Sequence, residues 1–233
     1  TIKKINIIGN EIYTNEELLD GFELSEGSFF SFLANDNQYS REKLKGDIET
    51  LESFYRDRGY LKFSIESSQI SLSRDKKSIF ITFNINEGDK YQINDVDVVG
   101  EIPFEEAIYK DIIQSLKDTT YSQAQITSIE EYFINILGNR RYAFAEVAGN
   151  PEIDEETNEV KLIFSVQPGN RTYTRKILFI GNDITQDHVL RREMRQFEGA
   201  WTSDNAIEAG KVRLERLGYF KEVNVETLSL IHI

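Results

Sequence analysis

The sequence contains no cysteine and only two histidines, His188 and His232, among its 233 residues. A chain without cysteine cannot form a disulfide framework or a thiolate metal site. Two histidines at distant positions do not supply the ligand cluster that a zinc site or a histidine-dependent catalytic site requires. Long apolar runs are also missing, because none approaches the roughly 18 residues of a membrane-spanning helix.

Positive charge is in short supply, with 27 Lys and Arg against 40 Asp and Glu and a net charge of −13. A protein that binds nucleic acid needs a basic face, so the charge argues against that class of partner. Glycine-rich phosphate loops are absent as well, and clustered carboxylates such as Asp154, Glu155 and Glu156 are typical of a solvated turn. The sequence therefore predicts neither an enzyme nor a binding site for a metal or a cofactor.

What the chain does contain is a short motif that occurs three times. Each copy is an apolar stretch that ends in glycine, at residues 5–9, 96–100 and 177–181. Apolar residues stand two and four positions before each glycine, which is the period-2 spacing of a strand with one buried face. The glycines are 91 and 81 residues apart, and this self-similarity predicts three domains of one kind in tandem.

Between one copy of the motif and the next, the sequence predicts two helices followed by two strands. Residues 14–17 and 122–125 each match a capping box, which marks the start of a helix. Apolar residues at helical spacing follow in residues 44–55. Alternating apolar residues then indicate half-buried strands at residues 79–85 and 160–166. The order β-α-α-β-β, with both helices on one face of a three-stranded sheet, predicts an α+β fold.

The three repeats are expected to span residues 1–89, 90–170 and 171–233. In the third repeat, strands are predicted at residues 173–180 and 219–227, but the sequence has no segment for the last strand. We therefore expect this domain to be incomplete. The chain opens at Thr1 without an initiator methionine or a signal peptide, which predicts an internal piece of a longer protein.

Four motifs carry a resemblance to a known family. They are Arg58–Tyr60, Leu190–Arg195, Glu198–Trp201 and Leu214–Phe220. These motifs resemble the POTRA (polypeptide-transport-associated) domains of the BamA family, the outer-membrane β-barrel assembly factors of Gram-negative bacteria. Their order resembles that of the third, fourth and fifth POTRA domains of the family. The run that begins at Leu190 is the most specific of the four, whereas the strand–glycine motif alone is weak.

The resemblance implies a location and a function. It implies a periplasmic segment of a protein whose full length is embedded in the outer membrane through a β-barrel that these residues do not include. The implied function is a chaperone-like scaffold that binds unfolded outer-membrane β-barrel proteins by β-augmentation, in which an extended client adds a strand to a sheet edge. In the family, the second strand of each domain is that edge, here residues 61–72 and 144–148. Two alternatives stay open: a passive structural spacer, and the POTRA region of another outer-membrane transporter.

The resemblance also implies two accessory lipoproteins as partners. BamD would dock on the third repeat through Glu193, with Arg191 and Arg195 beside it. From the residues alone, Glu193 could equally form an internal salt bridge on its helix, worth about 0.3 kcal/mol. BamB would bind the edge strand of the first repeat. The residues expected at that contact are Leu61, Phe63, Ile65 and Ser67.

Overall fold

A computed structural model describes residues 2–26, 37–75 and 77–228 of the chain. The chain divides into two compact units. The first comprises Thr1–Asp97, Tyr109–Ser128 and Asn150–Ile163, and the second comprises Val98–Ile108, Ile129–Gly149 and Phe164–Ile233.

The first compact unit opens with a three-stranded sheet and two helices. In chain order these elements are β1 (Ile2–Ile8), α1 (Asn15–Leu19), α2 (Asn37–Arg56), β2 (Ser64–Leu72) and β3 (Ile79–Asn86). The strand order is β1-β3-β2, with β3 parallel to β1 and antiparallel to β2. The capping box predicted at α1 is confirmed, because the Thr14 side chain accepts from the Glu17 N–H and the Glu17 side chain accepts from the Thr14 N–H.

The core of this sheet follows the alternation in the sequence. The buried residues of β3 are Ile79, Ile81, Phe83 and Ile85. Tyr55, in the last turn of α2, is fully buried and stacks on Phe63 with ring centroids 4.2 Å apart. Its hydroxyl donates a hydrogen bond of 2.7 Å to Glu87, whose carboxylate also accepts from the N–H groups of Glu11 and Ile12. The buried carboxylate therefore has the hydrogen-bond donors that its burial requires.

The second repeat contributes a four-stranded sheet. Its elements are β4 (Gln92–Gly100), α3 (Ala107–Leu116), β5 (Thr119–Thr120), α4 (Gln123–Asn139), β6 (Glu146–Asp154) and β7 (Glu159–Gln167). The strand order β5-β4-β7-β6 places β7 inside the sheet and β6 at its edge. β7 buries every second residue from Val160 to Val166, as predicted, and the α+β fold class is confirmed. The short strand β5 was not expected; it pairs with Gln92 and Ile93.

The third repeat contains α5 (Asp187–Glu193) and α6 (Asp204–Arg216), and its described residues form no strand. The strands predicted at residues 173–180 and 219–227 are therefore wrong for this structure; an isolated bridge joins Tyr173 to Trp201 instead. In the first two sheets a central strand provides hydrogen bonds to both neighbours, and no described residue takes that place here. Apolar residues of these segments still pack on the core residues Leu190, Met194 and Leu214, namely Phe179, Phe220 and Val223.

Two predicted strand boundaries also need correction. β2 begins at Ser64 rather than at Leu61, because residues 60–63 form a turn in which the Phe63 N–H donates to the Tyr60 carbonyl at 3.1 Å. β6 runs from Glu146 to Asp154 and includes Pro151, whereas the sequence predicted a strand over residues 144–148. An edge strand tolerates proline because its outer side needs no N–H donor.

The glycine that ends the repeated motif has a physical reason in the first two repeats. Gly9 and Gly100 adopt φ angles of +97° and +106°. A Cβ at either position would lie 2.2 Å from a carbonyl oxygen of the central strand, that of Ile85 and that of Val166 respectively. Both the backbone conformation and the close approach therefore favour glycine. Gly181 shares the conformation, with φ of +82°, but its added Cβ would meet no atom within 4 Å.

Candidate functional site

The outer edge of β2 is the candidate site for binding an extended polypeptide. β2 pairs with β3 on one side, and the strand order places no described strand on its other side. Seven of its nine residues are exposed. A strand with one neighbour presents a row of unpaired N–H and C=O groups outward. Such a row can bind an added strand through backbone hydrogen bonds alone.

The side chains along this edge alternate in character. Ser68, Ile70 and Leu72 stand opposite buried residues of β3 and therefore point to the helix-covered face of the sheet. Ile70 and Leu72 are nonetheless 39% and 42% exposed. An added strand would cover them with apolar side chains at its own alternate positions. Neither residue was among the sites predicted from the sequence, although their period-2 spacing is visible there.

The charge along β2 also favours strand addition. The register shifts between Ile65 and Ser67, so Glu66 is the extra residue of a β-bulge. Glu66 is the one charged residue of the strand, and Ser67–Leu72 beyond it is uncharged. Natural edges are commonly protected by charge, proline or a bulge. After the bulge, from Ser67 to Leu72, β2 has neither a charged residue nor a proline.

The four residues predicted for this surface have different environments. Leu61 lies in the turn before β2 and is half-buried. Phe63 is 3% exposed and belongs to the core. Ile65 packs against the same core, and the Ser67 hydroxyl accepts a hydrogen bond of 2.7 Å from Asn84. Ile65 and Ser67 thus lie on the edge strand, whereas Leu61 and Phe63 precede it.

β6 is the edge strand of the second repeat that corresponds to β2, and its chemistry is different. Pro151 has no N–H, so β6 lacks one backbone donor. The strand carries three carboxylates, Glu146, Glu152 and Asp154, against one in β2. Proline and charge are both typical of an edge that resists pairing. β2 is therefore the better acceptor of the two.

Glu193, the residue predicted to dock a partner, is the last residue of α5 and is largely covered. Its side chain is 12% exposed and faces Arg213 of α6. The Arg213 Nε and Nη2 atoms donate to Glu193 Oε2 at 3.1 and 2.7 Å. Arg192 Nε donates to Glu193 Oε1 at 3.4 Å. The internal salt bridge left open by the sequence is therefore present: Glu193 pairs with Arg192 within α5 and, more closely, with Arg213 of α6.

The hydrogen bonds from Arg213 hold the pKa of Glu193 below its ordinary value of 4.5, and they outweigh the desolvation that acts in the opposite direction. The carboxylate is accordingly charged at neutral pH. Arg213 was missed in the sequence because it lies 20 residues from Glu193 on another helix. No local spacing indicates such a pair.

The two arginines predicted beside Glu193 differ in their availability. Arg191 donates from Nε to Asp187 at 2.6 Å, from Nη1 to Glu198 at 3.0 Å and from Nη2 to the Ile177 carbonyl at 2.9 Å. These bonds fix its guanidinium within the chain. Arg195 is exposed and forms no hydrogen bond or ion pair with a described residue. Of the predicted docking residues, Arg195 is thus the most accessible.

Among the described residues, no group of three or more His, Asp or Glu side chains is placed to hold a metal ion. His188 is exposed on α5, and His232 lies outside the described residues. Across residues 2–26, 37–75 and 77–228, no helix is both long enough and apolar enough to cross a bilayer.

The sequence matches a protein-family model three times. The family is POTRA, described as a surface antigen variable number repeat, and the matches cover residues 1–88, 91–169 and 172–231. The chain is 30% identical over 98% of its length to the outer membrane protein assembly factor BamA of Neisseria meningitidis serogroup B. It is 31% identical over 96% of its length to the BamA of Buchnera aphidicola. The chain spans 29% and 36% of the length of these two relatives.

The chain is also similar to a solved structure. The chain is similar to the crystal structure of Haemophilus influenzae BamA POTRA3-5, with a TM-score of 0.86 and 27% sequence identity. The likeness covers 96% of this chain and 87% of that one.

Proposed function

The chain belongs to the POTRA family, and from this premise we propose that it is a periplasmic segment of an outer-membrane β-barrel assembly factor of the BamA type. Its role there is chaperone-like: it binds unfolded outer-membrane β-barrel proteins by β-augmentation before they fold and insert. We extend the proposal to three POTRA domains at residues 1–89, 90–170 and 171–233. Pairing of backbones involves no covalent step, so the proposed function is binding rather than catalysis.

The open edge of β2, uncharged from Ser67 to Leu72, is the observation that carries the proposal. Backbone hydrogen bonds do not depend on the client's side chains, so one edge can serve many clients. The exposed pair Ile70 and Leu72 adds a preference for clients with apolar residues at every second position. Strands of outer-membrane barrels have this alternation. The names of the matching relatives, which are assembly factors, support the same assignment.

An NMR titration tests the proposal. The ¹⁵N-labelled chain is titrated with an extended peptide taken from a porin strand, and shifts are expected along Ser64–Leu72 rather than along β6. Gln69→Pro and Ile70→Pro then locate the contact, because adjacent residues of a strand point their N–H groups to opposite sides. In one of the two variants, the lost N–H points away from β3, so this variant loses a donor at the open edge and keeps its hydrogen bonds to β3. That variant should bind the peptide roughly two- to tenfold more weakly.

Gln69→Ala and Ile70→Ala are the matched controls, because they shorten the same side chains and keep both N–H groups. Full affinity in both proline variants with the sheet intact would contradict the proposal. Shifts confined to other elements would do the same. A chain that shows no shift with millimolar peptide would be assigned to the alternative, a passive spacer.

We further propose that BamD docks on the third repeat and that Glu193 and Arg195 contribute to its binding. A simple reversal, Glu193→Lys, cannot separate docking from folding, since Glu193 also pairs with Arg213. The exchanged pair Glu193→Arg with Arg213→Glu restores the internal ion pair and reverses the charge at position 193. If Glu193 itself docks the lipoprotein, the exchanged variant should fold and fail to bind BamD. Retained binding by this variant would contradict the docking role.

The edge of β2 is also the proposed contact for BamB. A lipoprotein and an extended client that use the same backbone edge must exclude each other. We therefore expect the porin peptide to displace BamB from the chain. The proline variant that lacks the outward-pointing N–H should lose BamB as well. A BamB pull-down that is unchanged in that variant would show that BamB binds elsewhere.

A further inference from the structure

A joint of three hydrogen bonds follows α2 in the first compact unit. Asp57 Oδ1 accepts from the N–H of Ala124, near the start of α4, at 2.8 Å. The Gly59 carbonyl accepts from the Tyr91 N–H at 2.9 Å. The Tyr91 carbonyl in turn accepts from the Tyr121 N–H at 3.2 Å. The turn after α2 thus receives Tyr91, the residue just before β4, and the first turn of α4.

The same joint occurs after α4, inside the second compact unit. Asn139 Oδ1 accepts from the N–H of Asn205, in the first turn of α6, at 3.1 Å. The Arg141 carbonyl accepts from the Thr172 N–H at 2.8 Å, and the Thr172 carbonyl accepts from the Thr202 N–H at 3.1 Å. Each of these residues follows its counterpart in the first joint by 81 or 82 positions. Both joints therefore use an acceptor side chain two residues before the turn residue.

The turn at the end of α6 has the same backbone as the turns that accept hydrogen bonds in the first two joints. The Gly218 N–H donates to the carbonyl three residues earlier at 3.0 Å, as the Arg141 N–H does at 3.1 Å. The turn residues Gly59, Arg141 and Gly218 have φ angles of +101°, +83° and +67°. A tyrosine follows each of them. The backbone that receives Tyr91 in the first copy and Thr172 in the second is thus formed a third time.

In this third copy the receiving surface is exposed. A Cβ on Gly59 would lie 2.8 Å from Thr120, whereas a Cβ on Gly218 would meet no atom of the described residues within 4 Å. Tyr60 is 6% exposed and Tyr219 is 64% exposed. The Gly218 carbonyl accepts no hydrogen bond from the described part of the chain.

The charge of the third copy differs from that of the first two. Arg216 stands two residues before the turn, where Asp57 and Asn139 stand in the other copies. A guanidinium donates hydrogen bonds and cannot accept them. It also repels the partial positive charge of a helix N-terminus. The contact that Asp57 and Asn139 make with a helix is therefore not available to Arg216, whereas a carboxylate would pair with it.

From these observations we propose that Arg216, Gly218 and Tyr219 form a docking surface for an acidic, extended segment of a partner protein. A backbone N–H of the segment donates to the Gly218 carbonyl, and a carboxylate of the segment accepts from Arg216. The surface rejects a further domain of the same kind, because such a domain would bring a helix N-terminus to Arg216. The proposal is independent of the β2 edge.

The probe for this surface is an acetylated peptide with the sequence of residues 91–98. It begins with the residue whose N–H makes the contact in the first joint, and it carries Asp95 and Asp97. Its neutral counterpart has asparagine at both positions. In an NMR titration, the acidic peptide should shift the amides of residues 216–220 and bind about three- to fivefold more tightly than the neutral one.

Arg216→Gln should remove this preference, while Arg175→Gln, which changes another exposed arginine of the same repeat, should leave it intact. Equal affinities for the two peptides would overturn the proposal, and so would shifts confined to other residues or their absence at millimolar peptide. Sedimentation of the chain alone tests whether a second copy of the chain occupies this surface instead. A dimer that Arg216→Gln dissociates would assign the surface to a second copy and overturn the proposal as well.

Discussion

At the scale of single residues, the repeated motif combines two requirements that differ between its copies. The left-handed backbone is common to Gly9, Gly100 and Gly181. The approach of a neighbouring carbonyl oxygen to 2.2 Å of an added Cβ is found for Gly9 and Gly100. The motif in the sequence indicates the left-handed backbone. The close approach of a carbonyl oxygen is visible only in the structure, because that oxygen belongs to the central strand.

Alanine at these glycines should separate the two effects. Gly181→Ala should cost about 1–2 kcal/mol, the cost of a left-handed alanine. Gly9→Ala and Gly100→Ala should cost roughly 2–5 kcal/mol, because the methyl group also displaces a carbonyl oxygen. Urea unfolding followed by NMR, repeat by repeat, measures each change. Equal losses at all three glycines would contradict the role assigned to the central strand.

The pair formed by Glu193 and Arg213 predicts a pH dependence. The pKa of Glu193 is lowered in the folded chain, so its contribution to stability is complete above the ordinary pKa of 4.5. That contribution is lost as pH falls through the lower, folded-state pKa. Thermal unfolding of the third repeat from neutral pH to about pH 3 should therefore show a decline that Glu193→Gln reduces. Identical pH profiles for the two proteins would contradict this prediction.

At the scale of elements, the sequence predicted what depends on local pattern. The alternation in β3 and β7 is confirmed residue by residue, since a strand between two neighbours buries every second side chain. The strand predicted at residues 144–148 ended too early, because β6 continues through Pro151. Proline is acceptable on an edge, and edge position is a property of the sheet. Ile70 and Leu72 were missed for the same reason. Their exposure follows from the position of β2.

Pro151 should have two measurable effects on β6. Pro151→Ala should lower stability by about 0.4–1 kcal/mol, because the unfolded chain gains conformational freedom. The new N–H should also make the edge more prone to pair with another copy. Urea unfolding and sedimentation velocity measure the two effects. Ile153→Ala, which changes a nearby exposed residue without adding a donor or removing a charge, is the control, and an equal gain in association there would contradict the role of the proline.

At the scale of the whole chain, the three repeats differ in how completely they bury their apolar residues. The first two contain central strands with fully buried apolar residues, whereas Ile180 and Ile184 of the third are 93% and 98% exposed. Regions with few buried contacts and no ladder open most easily. The extent of this difference depends on ladders between strands, which no single segment of the sequence encodes.

Hydrogen exchange should reproduce this ranking. Amides of β3 and β7 should exchange slowest, and those of residues 173–180 and 219–227 should exchange fastest. Mass spectrometry of the intact chain resolves these segments. Comparable protection in all three repeats would show that residues 173–180 and 219–227 are paired in solution.

The central claim, that β2 receives extended clients, is tested most directly by hydrogen exchange of the chain with and without an unfolded porin. We predict that outward-facing amides within Ser64–Leu72 become protected roughly tenfold or more, because each gains a backbone acceptor, while the amides of β6 change little. Unchanged exchange along Ser64–Leu72 at saturating porin would contradict the claim.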